Sequence, residues 1–165
     1  MLEKQGKLEE AGQMYLEVIE GNTAALGANH STTLTFKGNH AVLLEKQGKL
    51  DEAGRVYREV IEGFTATLSA NHAETLRDKG NYAALFADQG KLEEAEQMYR
   101  EVIDGQTEAL GAGHTSTLHT KYNLGNLLFN AGDKARARPL FEDAAAGWVD
   151  ASWYLCGASR ERPTQ

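Results

Sequence analysis

Three stretches of the chain carry the same spacing of apolar side chains. Ala11, Met14, Tyr15, Val18, Ile19 and Leu26 fall at i, i+3, i+4, i+7, i+8 and i+15. The series returns as Ala53, Val56, Tyr57, Val60, Ile61, Leu68 and again as Ala95, Met98, Tyr99, Val102, Ile103, Leu110. Alternation would mark a strand; this spacing lays one apolar stripe along an amphipathic helix. The acids Asp51-Glu52 and Glu93-Glu94 sit in its first turn, where the positive end of the macrodipole favours them. Gly21, Gly63, Gly105 and Gly147 interrupt this helix, here called B, at the same place each time. A mid-helix glycine costs roughly 0.5–1 kcal/mol against alanine. Because the stripe stays in phase beyond it, helix B is predicted to run through the glycine, with a neighbouring backbone passing close by.

A second helix, A, is predicted over 31–47, 73–89 and 115–131. Asn29, Asn71 and Gly113 stand at its start as N-caps, and Gly48, Gly90 and Gly132 close it in the left-handed conformation. So short a link to the next stripe forces the two helices antiparallel. Gln47-Gly48-Lys49-Leu50-Asp51-Glu52-Ala53 recurs around Gly6 and Gly90 and, eroded, around Gly132, always 42 residues apart. A fixed period of this size marks a solenoid, whose units bury their apolar faces only against one another. The chain is therefore read as an all-α array over 1–149: a half-repeat 1–28, then repeats 29–70, 71–112 and 113–149. Its first five residues read as the last turn of an A helix, so either the array is longer or another chain supplies the missing part. The period fails after Val149. In the tail 150–165, Trp153, Tyr154 and Leu155 are expected to fold back with Trp148 as a cap before a disordered end.

Composition narrows the function. A net charge of −7 and a pI near 5.2 argue against nucleic acid or an anionic membrane as partner. A single cysteine, Cys156, permits no internal disulfide. The N-terminus lacks a signal-peptide pattern and no stretch is long enough to span a bilayer, so a cytoplasmic protein is expected.

A 42-residue period falls in the range of HEAT and armadillo units, but the internal pattern decides against them. Ala41 and Ala83 are followed by Ala53 and Ala95, then Tyr57 and Tyr99, in the order small, small, ring. With Thr33-Leu34, Asn39-His40-Ala41, Leu43-Leu44, Gln47-Gly48-Lys49, Glu52-Ala53 and the Leu-x-Ala-Asn-His of Leu68 to His72, the chain resembles the long tetratricopeptide repeats of kinesin light chains and nephrocystin-type proteins. Ser31, Ala73 and Thr115 stand where that family usually carries proline. The resemblance implies a right-handed superhelical solenoid of antiparallel helix pairs, with the A helices lining a concave groove.

No catalytic or cofactor pattern is present. His30, His72 and His114 are repeat-equivalent and so about 10 Å or more apart, too far to share a metal ion whose ligands lie at about 2 Å. They read as loop histidines that satisfy backbone groups ahead of helix A, and His40 and His119 read likewise. The paired acids repeat with the scaffold, Gly-Lys-Leu lacks the spacing of a phosphate loop, and Cys156 has no base beside it in sequence. No enzyme, metal or cofactor is expected.

What changes from unit to unit is the face of helix A turned from helix B. It carries Thr35, Gly38, Asn39, Val42, Glu45 and Lys46, then Arg77, Gly80, Asn81, Ala84, Ala87 and Asp88, then His119, Tyr122, Asn123, Asn126, Phe129 and Asn130. The recurring Asn39, Asn81 and Asn123 each offer a donor and an acceptor to an extended peptide backbone. Arg77 and His119 would favour an acidic side chain, and Tyr122 and Phe129 would supply an aromatic pocket. Lys37, Lys79 and Lys121 lie on the flank, away from a carboxylate clamp. The expected function is a non-catalytic protein-interaction module that binds a partner's peptide segment. The alternative is a structural or assembly segment that self-associates through uncapped ends.

Overall fold

The computed structural model describes residues 2–155, with side chains over 6–148. Seven helices follow one another: α1 Leu2–Leu26, α2 Ser31–Lys46, α3 Leu50–Thr67, α4 Ala73–Asp88, α5 Leu92–Leu110, α6 Thr115–Asn130 and α7 Lys134–Leu155. Among the described residues there is no strand. The A helices are α2, α4 and α6, each ending one residue before the expected boundary. Gly48, Gly90 and Gly132 follow at φ of 76°, 75° and 89°. There the Lys49, Lys91 and Asp133 amides donate back to the carbonyls of Leu44, Phe86 and Leu128, which closes each helix on its own last turn.

The N-caps differ from expectation. His30, His72 and His114 cap the A helices, not Asn29, Asn71 and Gly113. Each imidazole Nδ1 accepts from the backbone amide two residues on, in Thr32, Glu74 and Ser116. This gives the three histidines the backbone role expected of them. Three residues after each cap, a buried threonine donates its hydroxyl to the preceding loop: Thr33 to the Gly27 carbonyl at 2.9 Å, Thr75 to Ser69 at 2.7 Å and Thr117 to Gly111 at 3.0 Å.

The next residue in each unit is Leu34, Leu76 or Leu118, and it explains the glycines inside helix B. A Cβ on Gly63 would sit 2.7 Å from a methyl of Leu34, and one on Gly105 would sit 2.8 Å from Leu76. On Gly147 the gap to Leu118 is 2.5 Å. The close neighbour is thus a leucine side chain from helix A and not a passing backbone. Gly21 has nothing within 4 Å, because among the described residues no leucine from an A helix packs on that face of α1.

Two further expectations need correction. Residues 2–5 do not form a separate helical turn, since α1 continues unbroken through Gly6. Four residues cannot sustain a helix of their own, so they lengthen the one that follows. The stripe also stops short of its predicted end: Leu26, Leu68 and Leu110 are exposed at the helix ends, and Phe64 takes the buried position in α3. In the tail, α7 runs to Leu155, past the point where the period fails. The side chains of Trp153, Tyr154 and Leu155, and residues 156–165, lie outside what is described.

Each helix packs on the next in sequence, and the A helices also touch one another, α2 on α4 and α4 on α6. Among the described residues the backbones of the B helices do not approach one another, and α5 and α7 are joined only by long side chains, as in the Arg136–Glu96 ion pair at 2.6 Å. The side that brings its helices together is the inside of a curve, so the A helices form the concave face. The core follows as a string of small clusters: Leu34, Val60 and Phe64; then Ala41, Leu44, Ala53, Tyr57, Tyr82 and Leu85; then Ala83, Ala95, Tyr99, Leu124, Leu127, Leu128 and Ala137.

Candidate functional site

Helices α4 and α6 diverge enough to leave a groove of about 490 Å³ between them, floored by α5. Arg77, Asn81 and Ala84 enter from α4, His119 and Asn123 from α6, and Tyr99 and Gln106 from below. The groove continues past Asn123 into a second compartment of about 350 Å³ bounded by Ala84, Asp88, Asn126 and Asn130. A shallower depression of about 450 Å³ between α2 and the start of α4 holds Thr35 with Phe36, Leu68 and Glu74. Nine of the fourteen candidate residues thus line one of three concavities on the same face.

The other five do not. Asn39, Val42 and Lys46 on α2 line none of these depressions, and Val42 packs on the core around Tyr57. Tyr122 and Phe129 turn toward α7. The Tyr122 ring lies 5.5 Å from Phe141 and 5.6 Å from Trp148, and Phe129 lies 6.4 Å from Phe141 with Lys134 over its face. The aromatic pocket expected on the groove floor is displaced because α7, the last helix, has no following A helix against it among the described residues. These rings fill that side instead.

The charges also differ from expectation. Arg77 is engaged by two carboxylates, Glu74 one turn back and Asp78 beside it. Asp78 is buried, and burial raises its carboxyl above the ordinary value against the opposing pull of Arg77. Its Oδ1 lies 3.1 Å from where a Cβ on Gly38 would stand, so Gly38 belongs to the α2–α4 contact and not to the groove floor. A guanidinium held by two acids offers little net attraction to a third. Two of the three flanking lysines are likewise taken: Lys37 pairs with Glu59 and Lys121 with Asp143, each joining helix A to helix B within one unit.

Glu45 lies half-buried beside Tyr57, yet neither its Oε1 nor the tyrosine hydroxyl completes a hydrogen bond. Burial pushes the Glu45 carboxyl up to about 7, the Tyr57 hydroxyl pulls it back, and the Asp88 charge adds to the rise. Burial likewise lifts the Tyr99 hydroxyl to about 12, with Asp88 and then Glu45 contributing. The C-terminal half of the groove therefore stands in a negative field.

Sequence reasoning missed Tyr99, Gln106 and Thr120. Tyr99 belongs to the apolar stripe, which assigns it wholly to the core, yet it floors both compartments. Gln106 occupies the position held by Phe64 one unit earlier, and its Oε1 accepts from the buried Thr120 hydroxyl at 2.8 Å. A position that holds Asn22, Phe64 and Gln106 in successive units was the legible signal. Among the described residues no cluster of histidine, cysteine and acid could hold a metal ion, and no helix is long and apolar enough to cross a membrane.

Two overlapping regions, 32–108 and 79–148, match one family model and residues 1–32 match another, both described as tetratricopeptide repeat. No curated protein matches the chain. Among solved structures, BtubC (BKLC) from P. vanneervenii superposes with a TM-score of 0.80 at 18% identity, over 97% of this chain and 62% of that one. The nearly identical TPR-like repeats of a Podosopora anserina putative kinesin light chain superpose at 0.75 in a point-substituted form, with 22% identity over 90% of this chain and 70% of that one. A second structure of those repeats gives 0.72, also at 22% identity, over 88% of this chain and 69% of that one. At such identities the likeness concerns the fold, an all-α superhelix of antiparallel helix pairs, and the chain spans under two thirds of the BtubC length.

Proposed function

The chain belongs to the tetratricopeptide repeat family, whose arrays are protein-interaction and scaffold modules, and on that premise we propose that it binds an extended peptide segment of a partner in the α4/α6 groove. The observation that carries this reading is the placement of Asn81 and Asn123. They stand 42 residues apart at equivalent positions on neighbouring A helices, and both side chains line the groove. Each carboxamide can donate to one backbone carbonyl and accept from one amide, the pairing an extended chain offers at regular intervals. Ala84 and Tyr99 supply apolar area beneath them. No catalytic step, metal or cofactor enters this role, and the expected setting is the cytoplasm.

A peptide-display selection against the purified chain, followed by binding of a selected peptide to an Asn81→Ala/Asn123→Ala variant, tests the proposal. The expected result is a loss of about thirtyfold or more in affinity, four hydrogen bonds at about 0.5–1.5 kcal/mol each. Unchanged affinity in a folded variant would sink the assignment of the asparagines.

A second reading, assembly through the ends of the array, is favoured by a different observation. Met14 and Leu16 on α1 are 62% and 54% exposed, and Tyr122 and Phe129 at the other end are 39% and 48% exposed. Light scattering across a concentration series separates the two readings. A mass that rises with concentration supports assembly, and a constant monomer mass with a bound peptide supports the groove.

A further inference from the structure

We propose that the second compartment of the groove, between Asp88 on α4 and Asn126 and Asn130 on α6, takes a lysine or arginine side chain of the bound peptide. The inference rests on the groove reading and adds a charge preference opposite to the one expected from Arg77 and His119.

Three independent features point to it. The first is shape and lining: Ala84, Ala87 and Leu127 make an apolar floor, while the rim carries one carboxylate and three carboxamides with Asn123 included. An apolar passage that ends in oxygen acceptors fits a side chain with a methylene stem and a cationic head. The volume of about 350 Å³ leaves room for such a side chain with some water.

The second is the position of Asp88. It is the last residue of α4, where the helix presents its negative end and an acid is unfavourable. The equivalent residues are Lys46 in α2, which obeys that preference, and Asn130 in α6. An acid placed against the dipole, and beside the half-buried Glu45 carboxyl, raises local negative potential with no benefit to the fold.

The third is that no described residue neutralises it. Asp88 makes no ion pair or hydrogen bond with a described residue. The nearest lysine in sequence, Lys91, is occupied by the Gln89 side chain at 2.8 Å and lies over the Phe86 ring. Lys134 lies over Phe129, and Lys46 does not line the compartment. Arg77, at the far end of the groove, is held by Glu74 and Asp78. A cation from outside is what the compartment lacks.

Retention of the chain on immobilised pools of random dodecapeptides tests this, the pools differing only in one fixed central residue: lysine, arginine, norleucine or glutamate. Norleucine keeps the stem and removes the charge. The lysine and arginine pools are expected to retain the chain about fivefold better than norleucine at low salt, the size of a charge-assisted contact at a half-open site. The ratio should shrink as salt rises. Asp88→Asn should bring it close to one without reducing norleucine retention, and Asp88→Lys should move the preference to the glutamate pool. Far-UV circular dichroism checks that each variant folds. If wild-type chain holds lysine and norleucine pools equally, or Asp88→Asn keeps the preference, the charge inference falls while the groove stands, provided Asn81→Ala/Asn123→Ala reduces retention on every pool. If no pool retains the chain, or that double variant leaves retention unchanged, the groove reading falls and takes the inference with it.

Discussion

At the scale of single residues, the repeated His-x-x-Thr-Leu of residues 30–34, 72–76 and 114–118 performs three separate tasks: it caps the A helix, ties down the loop and fills the gap opposite a glycine. Replacing Thr75 by valine keeps the shape and leaves the Ser69 carbonyl with only the longer bond from the His72 amide, at 3.4 Å. The expected cost is about 0.5–1.5 kcal/mol in urea unfolding, the worth of the one hydrogen bond lost. His72→Ala should cost about 1 kcal/mol and His72→Asn should recover most of it, since asparagine is a strong N-cap. The threonine and leucine were readable as recurring letters, but their work was not, because a hydroxyl reaching back six residues to a carbonyl leaves no periodic trace. The caps escape sequence reading for a related reason: asparagine is the better cap by propensity, and only the local backbone shows that the next residue holds the position. Glu45 gives a prediction in pH. Its native carboxyl keeps its proton up to about 7 while the ordinary value is 4.5, so the native state binds more protons across that window. Stability should therefore fall as pH rises from about 4.5 to 7 and level off above. Melting of Glu45→Gln across the same range should show a flatter profile, with the remaining slope carried by the buried Asp78, whose carboxyl is raised in the same direction.

At the scale of helices, the glycine within helix B separates packing from propensity. Gly63→Ala gains about 1 kcal/mol of helix propensity but drives a methyl into Leu34, which is fully buried. Overpacking of this kind costs about 1–3 kcal/mol, so a net loss is expected, and Leu34→Val should relieve part of it in the double variant. Gly21→Ala meets open space and should stabilise by about 0.5–1 kcal/mol. Denaturant curves for the parent chain and these variants check both signs, and equal behaviour of the two glycine variants would contradict the packing account. Helix order, length and polarity were legible in the sequence because the helical stripe and the αL glycines recur in register. The fusion of residues 2–5 into α1 was not, since Gly6 sits in the same heptapeptide as Gly48 and Gly90 yet lies inside a continuous helix among the described residues. A motif that recurs in letters recurs in structure only where its neighbours recur as well.

At the scale of the whole molecule, the groove was legible in part. The register located the A-helix face and nine of the proposed residues, because an unused helix face is defined by what helix B buries. It misplaced Tyr122 and Phe129, whose surroundings depend on α7 and on the absence, among the described residues, of a further helix beyond it. It also read Arg77 as a free cation, although Glu74 stands at the i, i+3 spacing at which helix side chains pair; only the contact with the adjacent Asp78 depends on rotamers that spacing does not encode. Substituting Asp78→Asn should release Arg77 toward the groove and weaken retention on lysine-containing peptide pools by about twofold, a change read against the unaltered norleucine pool. Among the described residues contacts run only between helices that are adjacent or next but one in sequence, with none from α1 to α5, α6 or α7. Pulled from its two ends, such a chain carries tension through its interfaces in series, and the weakest gives way while the others hold. It would lengthen by steps of one helix pair, each recoverable on release, so the same connectivity that fixes the groove at rest also lets it open from one side under force.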